Sequence, residues 1–124
     1  MKKIAFYAID LLAVLSFVII GRSAHGHSDS LAGVWMTSWP FLVGTSVGWL
    51  LLKVRSLSIT SALAGLIVTL ANVVIGMVIR VAVGQGTALG FIAVSLAYFA
   101  ATSLFIRLAV LFYQSKLRSH FATP

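Results

Sequence analysis

The chain has 124 residues, 60% of them hydrophobic and 9% charged, with a formal net charge of +7 and a mean hydropathy of +1.09. A soluble domain carries about 25% charged residues, so a water-facing globule is excluded, and the Lys and Arg residues are scattered among apolar runs instead of forming a basic stripe with stacking aromatics, which argues against a nucleic-acid partner. There is no cysteine, which rules out disulfides, a thiol nucleophile and a cysteine metal site.

Crossing about 30 Å of hydrocarbon takes roughly 20 mostly apolar residues as a helix, which satisfies its own backbone where water is absent. Four segments meet this, over residues 4–20, 31–52, 57–83 and 87–113. The expected fold is all-α: a polytopic four-helix transmembrane bundle forming a single domain, 1–124.

The first segment, "YAIDLLAVLSFVIIGR", holds Asp10 with no cation nearby in sequence. Its basic start and the apolar run 11–20 also resemble a cleavable signal peptide. Against that reading, Asp10 fits the apolar region poorly, and Arg22 and His25 crowd the small-residue cleavage positions. The second segment follows Asp29 and Ser30, either of which suits an N-cap. Within it Pro40 is expected to kink the helix and free a carbonyl, and Gly44 and Gly48 form a GxxxG pair. Trp35 and Trp39 fit an interfacial aromatic belt.

The third segment places Ser61, Gly65, Thr69, Asn72 and Gly76 at three- and four-residue spacings, in one stripe suited to close helix packing. Asn72 asks for more than packing, because a buried amide needs hydrogen-bond partners. "VGQGTA" then supplies Gly84 and Gly86 around Gln85 for a tight turn, which makes the third and fourth helices antiparallel neighbours. In the fourth segment, Arg107 lies roughly six residues, or about 9 Å, from one end, and Asp10 lies at the same depth in the first, at about 1.5 Å per residue. A lone charge there costs on the order of 3 kcal/mol to insert, so an ion pair between Asp10 and Arg107 is expected, with proton carriage by Asp10 as the alternative.

Lys2, Lys3, Lys53, Arg55, Lys116 and Arg118 fall at one end of such a bundle and only Arg22 and Arg80 at the other. The positive-inside rule makes both termini cytoplasmic, and so lopsided a bias argues against insertion in both orientations. At the outer end Arg22, His25, His27, Asp29, Arg80 and Thr87 form a cationic rim. This reads either as an anion or lipid-headgroup cluster or as side chains snorkelling to the interface beside Asp29.

Catalysis lacks its usual groups. There is no Glu, and the two aspartates, Asp10 and Asp29, fall on opposite sides of the membrane in this topology. His25 and His27 alone make a weak metal site. No enzyme activity, cofactor or metal is expected.

"DLLAVLSFVIIGRSAHG", "SWPFLVGTSVGWLL" and "VVIGMVIRVAVGQGTALGF" resemble successive signatures of the domain-of-unknown-function 3054 family, small four-helix bacterial membrane proteins. The matching positions are Asp10, Gly21, Arg22 and His25, then Trp39, Pro40, Phe41, Gly44, Gly48 and Trp49, then Gly76, Arg80, Gly84, Gly86 and Phe91. Arg107 takes the place of an arginine that often follows a tryptophan, here Ile106. The resemblance implies the four-helix fold and a bacterial plasma membrane, and implies no activity. Small multidrug transporters also carry an acid in their first helix, but theirs is a glutamate with other flanking residues; dual-topology fluoride channels share the length and helix count, but their signature segments are missing. The functional expectation is a small non-catalytic membrane subunit or helper, contacting lipids and a homo-oligomer or larger complex. The alternative is a homo-oligomeric transporter or channel using Asp10 and the Arg22/Arg80 cluster.

Overall fold

The computed structural model describes residues 2–24, 26 and 30–122, and the side chains of residues 3–24, 26 and 30–119. Four helices follow in order: α1 (Lys2–Ala24), α2 (Leu31–Val54), α3 (Ala62–Ala82) and α4 (Leu89–Ala122). No strand occurs among the described residues. Helices α1, α3 and α4 are long and apolar enough to cross a membrane. Helix α2 has the length, at 24 residues, but its Trp, Ser, Thr, Gly and Pro residues dilute its hydropathy.

Three boundaries differ from the apolar pattern, each for a local reason. Helix α3 begins at Ala62 and not at residue 57, because Ser56 turns the chain with a φ of 53° and Ser61 caps the helix, its Oγ accepting from Ala64 N at 3.0 Å. Ser61 is thus an N-cap and not a member of the packing stripe. Ser30 caps α2 in the same way, accepting from Gly33 N at 3.1 Å, whereas Asp29 lies outside the described residues. Helix α4 runs beyond residue 113 because "QSKLRSHFA" contains no breaker and several good helix formers. The turn between α3 and α4 uses positive φ at Gly84 alone, at 80°.

Each helix packs against its neighbours in sequence, and α4 returns against α1 to close the bundle. All four contacts are antiparallel. Tyr7 meets Ser46 while Arg22 meets Thr37 across α1 and α2; Thr69 meets Phe99 and Gly65 meets Ser103 across α3 and α4. The described ends of α1 and α4 therefore lie at one end of the bundle. The tightest seam joins α2 to α3. A Cβ built on Gly44 would fall 2.6 Å from the carbonyl oxygen of Asn72, and one on Gly48 3.0 Å from the Cα of Val68. Gly76 likewise accommodates the Phe41 ring, 2.8 Å from where its Cβ would be. Such backbone approach replaces the hydrophobic drive that lipid cannot supply between helices.

Unlike a soluble domain, the bundle buries several polar side chains and exposes many large apolar ones. Asp10, Thr45, Asn72, Ser103 and Arg107 are buried, and Leu12, Val78, Leu89, Phe105 and Leu108 are mostly exposed. A core of Val14, Phe17, Val18, Phe41, Val73, Met77 and Phe99 fills the centre.

Candidate functional site

Two polar centres stand at different levels of the bundle. The first is built on α1 and α4, whose antiparallel pairing brings Asp10 and Arg107 to one depth. Arg107 Nη2 donates to Asp10 Oδ2 at 2.9 Å and Nη1 to Oδ1 at 3.2 Å, a bidentate fork. Arg107 is 0% exposed and Asp10 5%. Charges this deep persist only when their remaining hydrogen-bonding capacity is also satisfied, and other elements supply that here. Nε of Arg107 donates to the carbonyl of Ile59, in the α2–α3 loop, at 2.9 Å. Nη1 also donates to Ser103 Oγ at 2.8 Å, and that hydroxyl donates to the carbonyl of Gly65 at 3.3 Å. Trp49 Nε1, from α2, donates to Asp10 Oδ2 at 2.9 Å. The Phe6 ring lies 4.9 Å from the guanidinium carbon, within cation–π range.

Every element around the pair thus contributes one contact. Gly65 contributes by its lack of a side chain, since a Cβ there would sit 3.0 Å from Arg107 Cδ and 3.2 Å from Ser103 Oγ. Trp49 is fixed by Tyr7, edge-on with ring centroids 5.4 Å apart. Beside the pair, Asp10, Thr45 and Asn72 border a cavity of about 10 Å³, and Thr45 Oγ1 and Asn72 Oδ1 are buried without a hydrogen-bond partner among the described residues. Asn72 serves the α2–α3 seam through its backbone, against Gly44, and its amide oxygen is left unpaired, contrary to what a buried amide suggests.

The second centre lies at the opposite end, where α1 and α3 finish. Arg80 Nε donates to the carbonyl of Gly86 at 2.9 Å, and Nη1 to Gln85 Oε1 at 2.8 Å. Its guanidinium carbon lies 4.7 Å from the Phe91 ring centroid. Gln85 in turn donates through Nε2 to the carbonyl of Met36 at 3.1 Å. Arg22 Nη1 donates to Thr37 Oγ1 at 3.1 Å, and that hydroxyl donates to the carbonyl of Gly33 at 3.0 Å. Arg22, Thr37 and Arg80 line one cavity of about 600 Å³, whose remaining wall is Phe17, Val18, Gly21, Ala88, Gly90, Phe91 and Val94. Thr87 is half-buried in the adjacent turn and does not line this cavity, because the turn directs the carbonyl of Gly86 toward Arg80 instead. His25 and His27 lie outside the described residues.

Several contributors are not evident as site residues in the sequence. Ser103 lies one turn before Arg107 on the same face, and a buried indole N–H needs an acceptor, so Ser103 and Trp49 had a signal. Met36 is four residues before Pro40 and so loses its helical donor; that Gln85 replaces it, and that Ile59 turns its carbonyl inward, depends on loop geometry.

The chain matches the family described as Protein of unknown function (DUF3054) over residues 7–110, and it belongs to that family. The matched stretch contains both polar centres. No curated protein and no solved structure matches the chain.

Proposed function

We propose that the chain is a multi-pass integral membrane protein of a bacterial plasma membrane, with both termini cytoplasmic, acting as a small non-catalytic subunit or helper. The observation that carries this reading is the saturation of Asp10. Its two carboxylate oxygens receive three N–H donors, from Arg107 and Trp49, so the bundle's one described interior acid is committed to holding helices together. A carrier of protons or cations needs an acid that can release its partner, and this one is held by α2 and α4 at once.

The exposed apolar surfaces of α1, α3 and α4 supply faces for lipid, for a second copy or for a larger complex. Pull-down of the tagged chain in mild detergent, followed by mass spectrometry, tests the reading. A reproducible membrane-protein partner supports it, and recovery of the chain alone together with a specific uptake defect on deletion overturns it.

A second reading, a homo-oligomeric transporter or channel, is favoured by one feature. A cavity of about 840 Å³ lined by Lys3, Lys53 and Trp49 opens at the end opposite the Arg22/Arg80 cavity. Passage between them would require Asp10 to leave Arg107, and a second copy to widen so short a bundle. Ion or solute flux in liposomes that Asp10→Asn abolishes would favour this reading.

A further inference from the structure

We propose that the cavity holding Arg22 and Arg80 binds a phosphate oxyanion, as borne by a phospholipid headgroup or free in solution. Arg80 is half-buried, yet its hydrogen-bond partners, the Gly86 carbonyl and Gln85 Oε1, are neutral, and no carboxylate pairs with it among the described residues. Its Nη2 has no hydrogen-bond partner among them either, while Phe91 and the turn hold the guanidinium in place. A fixed arginine with spare donors on a cavity is a receptor for an oxyanion, since its planar fork matches two oxygens. Arg22 brings a second guanidinium to the same space from α1, oriented by Thr37.

The cavity has room for such a group. A Cβ built on Gly21 or on Gly90, both in its wall, meets nothing within 4 Å. Its position at the last turns of α1 and α3 is the level at which headgroups meet a spanning helix. Phe17, Val18, Phe91 and Val94 continue the wall as apolar surface, which suits an acyl chain below a phosphate and favours the lipid as source. Snorkelling alone leaves a solvated guanidinium and does not account for a walled cavity shared by two of them.

The test uses the full chain purified in mild detergent and its thermal unfolding midpoint with three probes: dioctanoylphosphatidylglycerol, dioctanoylglycerol and inorganic phosphate. Phosphatidylglycerol is expected to raise the midpoint saturably, with an affinity that falls as salt rises. Arg80→Gln is expected to weaken it about tenfold or more, the loss of one or two charge-assisted hydrogen bonds. Gly21→Leu narrows the cavity from its wall, keeps both arginines and should also weaken binding, so the test survives if Arg80→Gln does not fold. Stabilisation by phosphatidylglycerol but not by phosphate identifies the lipid as source; equal stabilisation by both identifies the free anion, and either supports the site. No shift with either phosphate probe, an equal shift with dioctanoylglycerol, or a shift unchanged in Gly21→Leu overturns it.

Discussion

Gln85 donates to the carbonyl of Met36 across the gap between the α3–α4 turn and α2, and Met36 is the residue whose helical donor Pro40 removes. One side chain therefore takes up the carbonyl that Pro40 leaves without a helical donor and, through its other amide atom, holds Arg80 at 2.8 Å. Gln85→Leu is expected to cost about 1 kcal/mol, the net value of a partly exposed hydrogen bond. In a Pro40→Ala background, where an N–H again reaches Met36, the same change should cost less. Equal costs in the two backgrounds, measured by unfolding in detergent, would separate Gln85 from the proline.

The α2–α3 seam makes a sharper steric prediction. Gly44→Ala pushes a methyl to 2.6 Å from the Asn72 carbonyl oxygen, and backbone cannot swing aside as a side chain can. Overpacking of this kind costs about 1 to 3 kcal/mol. Gly21→Ala, which meets nothing within 4 Å, is the matched control and should be neutral or slightly stabilising, as Ala exceeds Gly in helix propensity.

How much of this was legible follows the range of the interaction. Helix number and order are visible because a backbone in hydrocarbon has almost no other solution. The common depth of Asp10 and Arg107 is visible because helical rise is constant. The start of α3 is hidden, because Leu57 and Ile59 carry the apolar run on from α2, and Ser and Thr are too common within spans for Ser56 and Ser61 to announce that they turn and cap the chain. Trp49 beside Asp10, and the Ile59 carbonyl beside Arg107, are hidden for another reason: both depend on the rotation of α2 and the path of its loop, which no periodicity encodes.

Orientation is open to labelling, since the chain has no cysteine. With both termini cytoplasmic, Gly86→Cys should react with an impermeant thiol reagent from outside the cell, and Ser56→Cys only after lysis. The reverse pattern would invert the bundle and put the Arg22/Arg80 cavity inside.

Trp49→Phe tests the third donor on Asp10. An aromatic ring is kept beside Tyr7, while part of the indole's packing surface is lost together with one hydrogen bond to a charged oxygen, the latter worth about 1.5 to 3 kcal/mol. If Trp49 served packing alone, Trp49→Phe would cost as much in an Asp10→Leu background as in the unaltered chain; a smaller cost without the carboxylate isolates the hydrogen bond.

The ion pair itself makes the most discriminating prediction. Asp10→Asn leaves the Arg107 guanidinium buried without its counter-charge, and Arg107→Gln leaves the carboxylate with Trp49 alone. Removing one partner of a buried pair costs about 3 to 5 kcal/mol in soluble proteins, much of it the penalty on the stranded charge. The double variant Asp10→Asn, Arg107→Gln strands no charge, and its two amides can bond to each other, to Trp49 and to Ser103. It should therefore be more stable than either single variant, with a coupling well above the roughly 0.5 kcal/mol scatter seen for independent sites. A transporter that uses Asp10 as a carrier predicts something else: the two losses would add, and Asp10→Asn would abolish flux while leaving the unfolding midpoint in place. Measuring stability and flux on the same four proteins therefore separates a fastening from a carrier, because only a fastening is restored by removing its other half.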